Sequence, residues 1–177
     1  MKKSYLYGLA GLVVVAGVTV AVVLSGKKSD GGANGQASAT TGGFTAHLKN
    51  ACDILTQSVA KDVLGADAIK GTGVGDTEAN DVKVTTCNYT SAANQTSMEL
   101  LVRAAESKTQ ADNNAAQFDG KVNVPGYGDK AYWDASMGEF NILEHGNWYI
   151  LSNGTLRPAD HTQADGQKFA DAIKSSL

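Results

Sequence analysis

The chain has 177 residues, 42% of them hydrophobic, and its 15 basic and 18 acidic side chains give a net charge of −3. Four of the basic residues and one acidic residue precede Phe44, so the rest carries 11 basic and 17 acidic side chains, a net charge of −6. An acidic region without a basic run is a poor candidate for binding nucleic acid or anionic lipid headgroups.

The N-terminal segment predicts a membrane anchor. Lys2 and Lys3 precede an uncharged apolar run, Tyr5–Leu24, whose length as a helix is about 30 Å, the thickness of a hydrocarbon core. The run exceeds the roughly 7–15 residues of a signal-peptide core, and the small-residue site Ala37–Ala39 lies far beyond it. The sequence therefore favours an uncleaved anchor over a cleaved signal peptide, with residues 1–24 as cytoplasmic tip and transmembrane helix.

A linker and two cysteines indicate where the rest of the chain works. Residues 25–43 are mostly Gly, Ser, Ala and Thr, which predicts a flexible linker. Lysines flank the apolar run on both sides, so charge barely orients it. The two cysteines, Cys52 and Cys87, indicate a disulfide in an oxidising compartment, the alternative being two buried thiols in a cytosolic domain. The sequence favours a single-pass plasma-membrane protein with residues 44–177 extracytoplasmic.

The predicted extracytoplasmic domain begins with helices. A short helix is expected over His47–Ile54. Thr56 is expected to cap a second helix over Gln57–Leu64, which stops at Gly65. Gly71–Asn80 is expected to be a loop, because three glycines alternate with Thr and Val before acidic residues begin.

Two predicted strands and a polar helix follow. Val82–Tyr89 and Ser97–Ala105 alternate apolar and polar side chains, as half-buried strands do. Ser107 is expected to cap a helix that runs to about Phe118 and ends at Gly120.

A hairpin is predicted next, from Glu139–His145 and Trp148–Ser152. A two-residue Gly146-Asn147 turn suits the primed turn types and would pair Leu143 with Ile150. Apolar residues occupy both faces of these strands, so the hairpin is expected at the centre of a sheet.

The last predicted element is a helix over Thr162–Ser176, with Phe169 and Ile173 in its apolar stripe. The order of helices, strands, helix, hairpin and helix predicts an α+β fold in which helices flank an antiparallel sheet.

Six segments in this order resemble a known family. They are Ala51–Thr56, Val63–Gly65, Cys87–Tyr89, Val124–Trp133, Trp148–Ile150 and the closing helix. Together they resemble the small extracytoplasmic domains of unknown function in actinobacterial lipoproteins and, more distantly, the extracellular sensor domains of actinobacterial receptor kinases. The resemblance implies an α+β sandwich with a disulfide between the first helices and the first strand. It implies no reaction or ligand, and the lipid-bearing cysteine of the lipoproteins is missing here.

Patterns typical of catalytic or metal sites are incomplete. Ser58 and Lys61 have S-x-x-K spacing without its partner motifs. Asp76–Asp81 alternates oxygen-bearing side chains as a Ca²⁺ loop does, but lacks the glycine at its sixth position. His161 and Asp165 could share a helix face, yet two ligands are too few for a closed zinc site. The sequence thus predicts no catalytic residue, no metal and no cofactor.

Aromatic residues concentrate in the C-terminal half. They are Tyr127, Tyr132, Trp133, Trp148 and Tyr149. They could pack in the core and hairpin, or form a binding surface, since Trp and Tyr are enriched where partners dock. The sequence as a whole favours a non-catalytic, membrane-tethered domain that binds, senses or interacts with an unknown protein or envelope ligand. The alternative is a cell-envelope enzyme with an unrecognised active site.

Overall fold

The computed structural model describes residues 45–72, 75–79, 82–155, 157 and 160–177. Residues 1–44, and with them the predicted membrane helix and linker, lie outside the described residues. No helix in the described part is long and apolar enough to cross a membrane.

The described residues form an α+β fold with one antiparallel sheet and flanking helices, which confirms that part of the predicted fold class. The helices are α1 (Ala51–Ile54), α2 (Gln57–Leu64), α3 (Lys108–Ala116) and α4 (Gln163–Ile173). The strands are β1 (Ile69–Lys70), β2 (Gly75–Ala79), β3 (Val82–Ser91), β4 (Thr96–Ala104), β5 (Lys130–Asp134), β6 (Glu139–Glu144) and β7 (Asn147–Thr155). The sheet order is β1-β3-β4-β7-β6-β5, and β2 pairs with β3 beside β1.

Side-chain caps set where the helices begin. Thr56, as predicted, accepts a hydrogen bond from the backbone of Val59 to start α2, and Gly65 ends that helix with a φ of 119°. The helix expected from His47 instead begins at Ala51, because the Asn50 side chain accepts from a backbone N–H in its first turn. The predictions for α3 and α4 are confirmed, and both helices begin with a capping box.

The loop predicted over Gly71–Asn80 is partly wrong. Gly75–Ala79 forms β2, which pairs with the first half of β3. Gly, Asp, Glu and Ala are poor strand formers, so this segment has no local strand signal. Its pairing supplies partners for the backbone groups along the outer edge of β3, which is a tertiary effect.

The hairpin is where predicted, but its register is wrong. The turn residues are His145 and Gly146, with φ values of 51° and 79°, and Leu143 pairs with Trp148 instead of Ile150. Glycine thus takes the second turn position, as in Asn-Gly turns. Asn147 joins β7, where its buried side chain accepts from Ala105 N at 2.9 Å.

Helices α1, α2 and α4 pack on one face of the sheet. Cys87, Leu100 and Leu151 lie in register across three adjacent strands on this helix-covered face, and all three are fully buried. Phe169 and Ile173 of α4 are equally buried and belong to the same core. The disulfide between Cys52 and Cys87 joins α1 to β3 here, which confirms the predicted bond.

In the described part of the chain, less of the opposite face of the sheet is covered. Among the described residues, α3 is the helix on that side, where Phe118 packs with Tyr132 and Leu143, and Trp148 lies against them. The remainder, called the open face, consists of alternate residues of β3, β4 and β7. Its members are Thr86, Asn88, Thr90, Ser97, Glu99, Leu101, Ile150 and Ser152.

Candidate functional site

The five aromatic residues predicted as a binding surface are divided between the two faces. Tyr149 is 1% exposed in the core, and Tyr127 and Trp133 pack against that core from its edge. Tyr132 and Trp148 pack on the other side of the sheet, against Phe118 of the α3 region. Alternation along the strands separates neighbours in sequence, so the structure does not bring the five together on one surface.

A cleft on the open face combines more polar side chains. It has a volume of about 410 Å³ and lies between the segment after β1 and the segment before α4. Its polar lining residues include Thr72, Asn88, Thr90, Ser97, Glu99, Ser152 and His161. We call this the polar cleft.

The sheet register assembles one wall of the polar cleft. Asn88, Glu99 and Ser152 lie in line on three adjacent strands, and Thr90 pairs with Ser97 one step along. Cross-strand neighbours have Cβ atoms about 5 Å apart, so these side chains are close together.

Several of these side chains have no protein partner. Within the described part of the chain, Asn88 Oδ1 is buried without a hydrogen bond. The side chains of Thr90, Ser97 and Glu99 likewise form no hydrogen bond to another described residue. Of these three, Glu99 is exposed to solvent. Unbonded polar groups converging in a concave site are typical of ligand-binding pockets.

Carboxylates accumulate beside the cleft. Glu139 pairs with Asp134, and because Phe140 pairs with Leu151, Glu139 lies beside Ser152. Burial, and then the negative charges of Asp134 and Glu99, raise the pKa of Glu139 above its ordinary value of 4.5. Hydrogen bonds from Ser136 lower the pKa of Asp134, which stays charged. The ion pairs among the described residues include neither Glu99 nor Glu139.

His161 closes one end of the cleft. Its Nε2 donates to the carbonyl oxygen of Thr155 at 2.8 Å. Its Nδ1 lies 3.2 Å from both Ser152 Oγ and the carbonyl oxygen of Gly138. Nδ1 can therefore accept from the Ser152 hydroxyl or, when protonated, donate to Gly138. In the first case the ring bonds only to β7, and in the second it also joins β7 to the turn between β5 and β6.

A small residue at position 154 makes room for that ring. A Cβ on Gly154 would lie 2.7 Å from His161 Cδ2, and the residue has a φ of 148°. We expect Gly154→Ala to lower the free energy of unfolding by about 1–3 kcal/mol through strain and overpacking. Denaturant melts measure this loss. Gly75→Ala is the control, because nothing lies within 4 Å of its Cβ, and an equal effect of the two substitutions would contradict the prediction.

Glu139 predicts a pH dependence of stability. Its pKa is raised in the fold, so the folded state binds more protons than the unfolded state above about pH 4.5, and stability falls as pH rises through this window. Glu139→Gln removes the contribution of this ionisation to stability. We therefore expect the melting temperature of the variant to exceed that of the parent near neutral pH and to match it below about pH 4.5. The lowered pKa of Asp134 acts below 3.8, outside this window. Glu106→Gln, an exposed charge change elsewhere, should leave the pH profile unchanged.

The other sequence candidates do not gather into a site. Ser58 and Lys61 are both exposed on α2. Asp165 uses its carboxylate in the capping box with Thr162, at 2.6 Å from Thr162 Oγ1. Asp76 is part of β2 and accepts from the Asn50 side chain at 3.1 Å. No group of three His, Cys, Asp or Glu residues within the described part could hold a metal ion.

No protein-family model matches the chain, and no curated protein or solved structure is significantly similar to it. The role of the polar cleft is therefore inferred from its geometry alone. Sequence reasoning missed Glu99 and Ser152, because each looks like an ordinary solvated strand residue. The pairing of β4 with β7, which makes them neighbours, leaves no local signal.

Proposed function

We propose that this chain is a membrane-tethered extracytoplasmic domain that binds an envelope ligand without catalysing a reaction. The apolar run Tyr5–Leu24 and the linker after it support the tether. The Cys52–Cys87 disulfide supports an oxidising compartment, where such bonds persist. The resemblance to extracytoplasmic lipoprotein and sensor domains agrees with both.

The binding role is carried by the polar cleft. It is a concave site on the open face, and it collects side chains that have hydrogen-bonding capacity to spare. A polar group without a protein partner is satisfied by water when the site is empty and by a ligand when it is filled. A binding function needs no further chemistry from these residues.

The location is tested by protease treatment of intact spheroplasts that produce the full chain. We expect the protease to remove residues 44–177 and leave a short membrane-bound N-terminal fragment. Lysed spheroplasts are the control for accessibility. Protection of the domain in intact spheroplasts, with digestion only after lysis, would place it in the cytoplasm and overturn the proposal.

The binding role is tested by filling the cleft. We expect Ser97→Leu to reduce retention of the purified full chain on sedimented envelope fragments, because the larger side chain occupies the space beside Glu99. Ser58→Leu makes the same change at an exposed position of α2 and should bind like the parent. Equal retention of the two variants would show that the cleft is not the binding site.

One observation favours the second candidate function, an envelope enzyme. The 3.2 Å contact from Ser152 Oγ to His161 Nδ1 places a hydroxyl beside a base, and Nε2 is oriented by Thr155 as activation of a nucleophile requires. A fluorophosphonate probe should then label Ser152 in the parent and leave Ser152→Ala unlabelled. Lack of labelling in the parent eliminates this serine-nucleophile candidate.

A further inference from the structure

The charged residues in and beside the polar cleft are acidic. Glu99 is in its wall, and Glu139 and Asp134 continue the same line across the sheet beyond Ser152. Among the described residues, no lysine or arginine lines the cleft, and His161 is the one lining side chain with a basic group. This arrangement disfavours anionic ligands, because a carboxylate or phosphate would face uncompensated negative charge.

Besides Glu99, the cleft wall holds the hydroxyl groups of Thr90 and Ser97, which form no hydrogen bond to another described residue. Asn88 Oδ1 also lacks a donor among the described residues, but it is buried against Gly71 and is not open to the cleft. The hydroxyl oxygens of Thr90 and Ser97 lie beside Glu99 and can also accept. A ligand that fits this site therefore brings donors to it.

We propose that the polar cleft recognises a protonated primary amine, with the Glu99 carboxylate as its anchoring partner and the Thr90 and Ser97 hydroxyls as additional acceptors. An ammonium group has three donors and no acceptor, which matches this lining. Its positive charge compensates Glu99 and its neighbours, and hydrogen bonds between ionised partners are the stronger kind. The inference rests on the proposed binding function and specifies its ligand class.

The test compares three compounds of similar length: 1,4-diaminobutane, 1,4-butanediol and succinate. Each is titrated at constant ionic strength into the isotope-labelled full chain in detergent, and amide chemical shifts are followed by NMR. We expect diaminobutane to shift the amides of Ser97, Glu99 and Ser152 in a saturable way, and the diol and the diacid to leave them in place. Equal binding of butanediol, or preferential binding of succinate, would overturn the proposal.

Two variants assign the effect to the carboxylate. Glu99→Gln should weaken diaminobutane binding about tenfold or more, consistent with loss of an ionised partner. Glu106→Gln changes the same charge at an exposed position beyond the other end of β4 and should bind like the parent. Melting curves check that both variants are folded, and Glu99→Asp, which keeps the charge, should retain more affinity than Glu99→Gln. Equal affinities of the Glu99→Gln and Glu106→Gln variants would overturn the assignment.

The outcome also separates this inference from the function on which it rests. If Ser97→Leu abolishes envelope binding but diaminobutane gives no shifts, the cleft binds another ligand class and the amine proposal fails alone. If Ser97→Leu leaves envelope binding intact while diaminobutane binds through Glu99, the cleft is an amine site and the envelope-binding role fails. A calcium salt that displaces diaminobutane and binds more tightly would identify a cation site of a different class and overturn the amine proposal.

Discussion

Replacing Cys52 and Cys87 together with alanine is expected to lower the free energy of unfolding by about 4 kcal/mol. The bond spans 35 residues, and closing a loop of that size in the unfolded chain accounts for this value in the chain-entropy model. The structural effect should centre on α1, because a helix of only four residues has little stability of its own. The contacts of α1 with β3 therefore depend on the disulfide that holds this helix in place.

Denaturant melts of the full chain, with and without a reducing agent, measure this contribution. The parent should lose stability in reductant to about the level of the double variant, while the double variant should be indifferent to reductant. An unchanged midpoint for the double variant would mean that packing of α1 on the sheet, and not the covalent bond, holds this part of the domain together.

Phe140→Ala is expected to cost about 3–5 kcal/mol, the range for removing a fully buried phenylalanine. Phe140 is 0% exposed on β6, where it meets two other elements. The Phe140 ring packs edge-to-face with Tyr127 at a centroid distance of 5.0 Å. If Gly166 of α4 carried a Cβ, that atom would lie 2.7 Å from the Cβ of Phe140. The backbones approach so closely here that they have little room to collapse into the cavity.

Met137→Ala is the matched control for that substitution. Met137 lies in the turn before β6 and is 57% exposed, so its truncation should change stability by less than about 0.5 kcal/mol. Thermal and denaturant unfolding of both variants provide the comparison. A cost for Phe140→Ala no larger than that for Met137→Ala would contradict the packing described at the junction of β6 and α4.

The elements that could be predicted from the sequence are those with local signals. Thr56, Ser107 and Thr162 cap their helices with their own side chains, so three of the helix starts depend on residues close in the sequence. The apolar alternation of β3 and β4 depends only on which face meets the core. The disulfide could be expected because the chain has a single possible cysteine pair.

The elements that could not be predicted depend on pairing between distant segments. Strand β2 forms because β3 offers it an edge, and its own residues favour a loop. The hairpin register depends on Asn147, whose side chain bonds to Ala105 and to the carbonyl oxygen of His47. These buried contacts stabilise Asn147 in the strand and leave the turn to His145 and Gly146.

The candidate site has the same limitation. Glu99 and Ser152 are 53 positions apart in the sequence but adjacent in the sheet, and neither belongs to a recognisable pattern. The aromatic residues do give a signal in sequence, but a cluster along the chain does not say which face each ring occupies. Strand alternation places Trp148 and Tyr149 on opposite sides of β7.

The contacts at the beginning of the domain have a mechanical consequence. Lys49 Nζ donates to the carbonyl oxygen of Ser176 at 2.6 Å, so the first described residues lie beside the last ones. Tension applied to the residues before His47 reaches α1 first and then passes through the Cys52–Cys87 bond into β3, which is paired on both sides. The load is thereby distributed over several strands, so we expect α1 to stay attached to the sheet when the N-terminal end is pulled. A protein fused after Leu177 would emerge next to the residues that precede His47.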